Sequence, residues 1–533
     1  MTRAASGYRA PVDAPWWREA VTYQIYPRSF ADADGDGTGD LAGITSRLDH
    51  LADLGVDAIW LSPFYPSPQI DYGYDVSDAR GVDPLFGTLP DADDLLAKAH
   101  EVGLKVIIDL VPNHTSSSHP WFTKALSAGP GSPERDRYLF RDGRGPDGEE
   151  PPTNWRSVFG QPAWTRVEDG QWYLHMFDEE EPDLNWRHPE VAEEFRSVLK
   201  WWMGRGVDGF RVDVAHGLVK DLRDQHVPEG RSPNSDPAVM YDEGIEDDPM
   251  WDQPDVHGVY RDWHDLVASY PGERMLIAEA WTQGPEDLRG YLRSDEFEQA
   301  FNFRWLQAHW SAREFTDAIV STLEALRPSS AWPTWVLSNH DAVRHRTRYG
   351  DGPQALARAR AATLTMLALP GSACLYQGEE LGLPHVELPP EHQQDPWAEG
   401  GNGRDGCRVP LPWSGDVPPF GFGPGEGQPW LPQPVQWTDL TVAAQTGRPG
   451  STLEFYRSAL AARRRYALGD DEEVRFLDAP DDVIAFRRGR LSVVLNCGAV
   501  PTPLPRGDVV ICSGEPLGPE LPPDTAVWLL GDD

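Results

Sequence analysis

The chain has 533 residues, of which 47 are basic and 85 acidic, giving a formal net charge of −38, and it carries 22 Trp and 4 Cys. So anionic a surface excludes nucleic acid and anionic membranes as partners, because both call for a cationic face, and so many large aromatics exclude a disordered chain. The length fits several ordinary domains or one large α/β barrel with attachments.

In chain order, the N-terminal stretch MTRAASGYRAPVDAPWW lacks an apolar h-region, and no run approaches ~18 consecutive apolar residues. The expectation is a soluble, cytoplasmic protein, a monomer or small homo-oligomer. Eight short apolar runs follow: 21–30, 57–64, 105–112, 207–215, 274–280, 297–303, 334–340 and 372–378. Amphipathic stretches at 41–55 and 89–103 separate the first three, and strands alternating with helices imply parallel βαβ units. Eight of them predict a (β/α)8 barrel, with an open doubly wound sheet as the alternative. Residues 114–188 are too long for a plain βα loop and predict an inserted subdomain after strand 3. Residues 384–449 are rich in Pro and Gly and predict an irregular excursion. After a helix at 453–467 the pattern turns to strands alone. The expected organisation is a catalytic barrel (1–113 and 189–467), a subdomain (114–188) and a C-terminal antiparallel β-sandwich (468–533). The cysteines (Cys374, Cys407, Cys497, Cys512) show no paired spacing, so neither a disulfide framework nor a zinc site is expected.

Several predicted strands end in ionisable residues: His114, Asp213, Glu279, His340 and Asp341. In a barrel such ends converge on one face, where active sites sit. Three carboxylates on one rim suit glycoside hydrolysis, where one carboxylate attacks the anomeric carbon and another donates a proton. Arg211 lies two residues before Asp213, hence on the same strand face, and would keep it ionised. Glu279, between Ala278 and Ala280 and followed by Trp281, has an apolar local setting that favours the protonated acid. The Trp excess suits stacking on sugar rings or nucleobases, and equally suits core filling.

The run DADGDGTGD places Asp32, Asp34, Asp36, Thr38 and Asp40 at EF-hand-like positions, but the twelfth position is Gly43 where an EF-hand needs Glu. A single structural divalent cation is expected there, Ca²⁺ before Mg²⁺, since packed carboxylates repel unless neutralised.

The segments DLVPNH (109–114), EPDLN (181–185), GFRVDVAHG (209–217), IAEAW (277–281) and LSNHD (337–341) resemble, in order, the α-amylase superfamily, glycoside hydrolase family 13, in its α-glucosidase and oligo-1,6-glucosidase branch. The match is most like actinobacterial α-glucosidases. The resemblance implies Asp213 as nucleophile, Glu279 as acid/base and Asp341 as transition-state stabiliser. It implies that His114 and His340 bond sugar hydroxyls, that Asp71 and Tyr74 grip the non-reducing end with Arg408 paired to Asp71, and that Phe159 and Phe177 line the next sugar's site. It also supports the cation in the acidic loop.

The function implied is a retaining, exo-acting α-glucosidase on short α-linked gluco-oligosaccharides, with α-1,4 favoured. Oligo-1,6-glucosidase, a glucosyl transferase and a non-catalytic relative are the alternatives. Val214 after the nucleophile accompanies α-1,6 preference in the family, whereas the longer string DVAHGLVKD looks like α-1,4 enzymes. The segment 303–315 lacks the Arg-rich loop of sucrose isomerases. Where the family usually has Gln, this chain has Glu181, which as a carboxylate only accepts hydrogen bonds.

Overall fold

The computed structural model describes residues 15–223, 249–282, 284–329, 331–395, 403–425, 427–467, 473–515 and 518–531. Most of the N-terminal stretch, and the expected start of the C-terminal domain at 468, lie outside them.

Eight parallel strands close into a barrel. In the chain, β1 (Val21–Ile25), β2 (Ala58–Leu61) and β3 (Lys105–Leu110) come first. The inserted β4 (Phe140–Asp142), β5 (Trp164–Arg166) and β6 (Gln171–Leu174) form a separate three-stranded antiparallel sheet. Then β7 (Gly209–Val212), β8 (Met275–Ala278), β9 (Gln299–Asn302), β10 (Thr334–Val336) and β11 (Ser372–Tyr376) complete the barrel, with β11 pairing back onto β1. The open-sheet alternative is thereby excluded. Each barrel strand is buried almost throughout, as expected for a parallel sheet covered by helices on one side and filled by side chains on the other.

The strands are shorter than the apolar runs suggest, because each run continues into the loop that carries the site. Thus 21–30 becomes β1 plus a 3₁₀ turn at Pro27–Ser29, and 297–303 becomes β9 plus the start of a short helix at Phe303. The outer helices bury one stripe. Leu89–Glu101 starts with a capping box between Thr88 and Asp91 and buries Ala92, Leu95, Leu96 and Ala99. Pro189–Arg205 ends at Gly206, whose φ of +111° is the left-handed conformation that favours glycine.

The C-terminal strands are β12 (Val474–Phe476), β13 (Val483–Arg488), β14 (Leu491–Asn496), β15 (Thr502–Pro503), β16 (Asp508–Cys512), β17 (Glu520–Leu521) and β18 (Thr525–Leu530). Five form one antiparallel sheet in the order β12-β13-β14-β18-β16, and β15 pairs with β17. One face of the sheet meets the barrel, where the Trp528 indole donates to Leu364 O on the helix Gly352–Ala368. On the other face Ala485, Val494, Val527 and Leu529 pack with Leu521 of β17. Among the described residues no helix is long and apolar enough to cross a membrane, and all four cysteines are free.

Candidate active site

The barrel's geometry gathers the strand-end residues. Asp213 follows β7, Glu279 follows β8, Asp341 follows the segment after β10, and His114 follows β3. A cleft of about 650 Å³, the open solvent at its mouth included, is lined by Asp213, Glu279, Asp341, Asp71, Tyr74, His114, Phe177 and Arg404, with Val158, Val214, His216, Trp251 and Trp281.

Arg211 organises its floor. The guanidinium is buried, and its Nη1 lies 2.5 Å from Asp213 Oδ1 and 2.9 Å from Asp109 Oδ1, while Nη2 lies 3.5 Å from Glu279 Oε2. Three carboxylates from neighbouring strands, Asp109, Asp213 and Glu279, therefore gather on one cation. Burial pushes Asp213 up to about 7; Arg211 opposes this and the Glu279 charge adds to it. Burial likewise raises Glu279. Its surroundings are not apolar as its neighbours in sequence suggest. The backbone N–H of Val214 donates to Oε2 at 2.7 Å and the Trp281 indole donates to Oε1 at 2.5 Å. Val214 reaches Glu279 by adopting a φ of +48°, a left-handed conformation costly for a β-branched residue and tolerated where surrounding contacts enforce it.

Asp341 is different. Burial favours its neutral form, but His340, Arg404, Arg408 and Arg211 hold it well below the usual carboxylate range. Arg408 Nη2 is 2.8 Å and Arg404 Nη1 3.2 Å from Oδ1. The arginine paired with Asp71 is Arg404, at 2.5 Å, and not Arg408 as the resemblance implies. Both arginines sit on one helical turn around Asp405–Arg408, but Arg408 turns beneath the site onto Asp341 and His340 O, and Arg404 reaches Asp71, Asp341 and Asp395 together. Burial still pushes Asp71 up to about 8, with Arg404 opposing and Glu181 adding.

Tyr74 lines the cleft and stacks on His340, with ring centroids 5.4 Å apart at 7°. His340 lies behind it, outside the lining. Gln24 Nε2 donates to its Nδ1 at 2.7 Å, leaving the Nε2–H to face Asp341 Oδ2 at 3.0 Å and the Tyr74 hydroxyl at 2.6 Å. His114 Nε2 is 3.4 Å from Glu181 Oε1, and both residues are buried. Although burial pulls His114 down, Glu181, Asp183 and Asp213 push it up to about 9. Beneath, Lys220 Nζ bonds Asp183 Oδ2 at 2.6 Å and Asn113 Oδ1 at 2.5 Å. Phe177 lies 5.1 Å from the His114 ring, and Phe159 meets Phe177 edge-on at 6.1 Å, one layer from the cleft.

The acidic loop brings ligand oxygens of Asp32, Asp34 and Asp40 within 4.8 Å of one another. Asp36 is not in that group: it is exposed and its Oδ1 accepts from Thr38 N. Asp40 also caps the helix Leu41–Ser46 by accepting from Gly43 N.

The catalytic domain of the α-amylase family matches residues 24–471. The chain belongs to the α-amylase family. It is 40% identical over 516 residues to a protein of Rhizobium meliloti (strain 1021) named "Probable alpha-glucosidase", covering 93% of this chain and 91% of that one. It is 34% identical over 504 residues to an oligo-1,6-glucosidase of Heyndrickxia coagulans, covering 87% of each. The crystal structure of XgtA, an α-glucosyl transfer enzyme, superimposes with a TM-score of 0.86 at 37% identity, covering 98% of this chain and 100% of that one. This α-amylase-family member is thus a glycoside hydrolase.

Sequence reasoning missed Arg404, Asp109, Asp395, Lys220 and Trp251 in this α-amylase-family site. Trp251, packed on the His216 ring at 5.0 Å, lines the cleft with Trp281, whereas Trp155, Trp202, Trp263, Trp305, Trp335 and Trp528 are fully buried. The Trp excess therefore divides between core filling and the site.

Proposed function

We propose that the protein is a retaining, exo-acting α-glucosidase that releases terminal α-glucose from short α-linked gluco-oligosaccharides, with α-1,4 linkages preferred. The observation that carries this reading is Arg211, which holds Asp213 at 2.5 Å and Glu279 at 3.5 Å on one guanidinium. Two like charges so placed keep one proton between them. The closer cation favours the ionised form of Asp213, so the proton resides on Glu279. Asp213 Oδ then attacks the anomeric carbon as Glu279 gives its proton to the leaving glycosidic oxygen. In the second half Glu279 takes a proton from water, the water oxygen bonds the anomeric carbon, and Asp213 leaves as carboxylate. Asp341, kept ionised by Arg404, Arg408 and His340, stabilises the positive charge that develops on the sugar. The Asp71–Arg404 pair would receive hydroxyls of the terminal glucose, with Tyr74 beside them.

XgtA favours a second reading, in which a sugar hydroxyl replaces water in the second half. The oligo-1,6-glucosidase relative keeps α-1,6 hydrolysis as a third. Rates on maltose, isomaltose, kojibiose, nigerose, trehalose, sucrose and soluble starch, with product analysis, separate them. Maltose is expected to be fastest and starch poor. Faster isomaltose would reverse the linkage preference, and oligosaccharide products exceeding glucose would favour transfer.

A single structural cation, Ca²⁺ before Mg²⁺, is proposed for the acidic loop. The donor set fits a hard ion, with three carboxylates converging and Asp36 and Thr38 adjoining. It would tie the loop after β1 and take no part in the chemistry.

A further inference from the structure

Glu279 is held by two donors of different kinds. Its Oε2 accepts the Val214 amide at 2.7 Å and faces Arg211 at 3.5 Å, so this oxygen stays unprotonated. The proton must therefore ride on Oε1. That oxygen already accepts the Trp281 indole N–H at 2.5 Å. An indole N–H donates only, so it cannot exchange roles with the acid proton. It occupies one lone pair of Oε1 and leaves the other for the proton.

The indole is itself fixed. Trp281 stacks on Phe303 with centroids 3.8 Å apart at 9°, Phe303 meets Phe301 at 6.0 Å, and Phe301 meets Trp60 at 5.4 Å. Trp60 lies under the Arg211 guanidinium at 5.0 Å. One aromatic row thus runs from the donor on Glu279 to the cation on Asp213.

We propose that Trp281 is a positioning residue for proton donation, its indole N–H selecting the face of Glu279 Oε1 from which the proton reaches the leaving-group oxygen. The proposal rests on the reading of Glu279 as acid/base. The same bond favours the carboxylate that accepts a proton from water in the second half. The other groups facing Glu279 are Arg211 and Asp213 from the β7 end, the Val214 amide, Asp341 after β10, and His216, which bonds the Glu279 backbone carbonyl. Of these, burial and Asp341 oppose ionisation, while Arg211, the Val214 amide and Trp281 favour it.

Trp281→Phe removes the N–H and keeps a ring against Phe303. A hydrogen bond to a charged group is worth roughly tenfold or more in rate. The variant is expected to lose about that factor in kcat/KM on maltose and less than about twofold on a dinitrophenyl α-glucoside, which needs no acid assistance. The basic limb of its pH profile should move up by about one unit, since the ionised form of Glu279 loses a donor. Trp281→Phe should add no further loss in a Glu279→Gln background, and Trp281→His, which retains a ring N–H, should recover part of the rate. Equal losses on both substrates, an unmoved basic limb, or an undiminished loss in the Glu279→Gln background would overturn the proposal. Should Glu279→Gln alone spare maltose, the acid/base reading beneath it fails instead.

Discussion

Replacing Glu279 by Gln preserves size and mimics the protonated acid beside Asp213. Burial is the larger cause of the rise of Asp213 to about 7, and the Glu279 carboxylate adds to it. At the separation of about 5–5.5 Å that a retaining pair requires, two unit charges at an effective dielectric of about 20 repel by about 3 kcal/mol. That is roughly two pH units. Arg211 lies against both groups and screens them, so a downward shift of about one unit is what the variant would show if Glu279 were ionised while Asp213 titrates. With the proton on Glu279, Asp213 titrates beside a neutral group in both proteins and its limb keeps its place. The assay is kcat/KM for a dinitrophenyl α-glucoside from about pH 4 to 9, because this ratio reports only the steps through glucosylation. The acid limb should fall near pH 7 in the wild type and within about half a unit of that in Glu279→Gln. A limb that moves down by about one unit would refute the claim that the proton of the pair resides on Glu279.

Lys220→Met should cost about 3–5 kcal/mol of stability, because it leaves the fully buried Asp183 without its cation; a loss under about 1 kcal/mol by denaturant titration would contradict this. Glu181→Gln removes a partner of His114, whose pKa stands raised to about 9. The stability from a raised His is fully present below its unfolded value near 6.5 and lost as pH rises through about 9. The melting-temperature advantage of the wild type over the variant should therefore shrink across that window, and a constant difference would count against the ion pair. Chelation should lower the melting temperature while leaving the rate at low temperature nearly unchanged. The reverse pattern would give the ion a part in catalysis.

The barrel was legible because its strands are short, mostly apolar runs, the first of them separated by helices of clear period. The catalytic rim was legible because those runs end in carboxylates and histidines, and a closed barrel brings such ends together. Legibility failed where contacts cross irregular chain. Arg404 and Arg408 are four residues apart in a Pro- and Gly-rich excursion, and no period tells which turns up to Asp71 and which passes beneath to Asp341. Asp109 reads as one polar residue in the strand KVIIDL, yet it is the second carboxylate on Arg211. Trp281 reads as apolar surroundings for Glu279, and its polar edge is what touches the carboxylate. In each case the missing information is a side-chain direction, fixed by packing between elements remote in sequence.

The central claim is that Asp213 forms a covalent bond to glucose while Glu279 handles the proton. Glu279→Gln incubated with a dinitrophenyl α-glucoside should accumulate a glucosylated enzyme, because activated glucosylation proceeds and the base for its hydrolysis is gone. Peptide mass mapping is predicted to place the glucosyl group on Asp213. A modification on Asp341 or Asp109, or β-glucose as the first product of the wild type by NMR, would contradict the account.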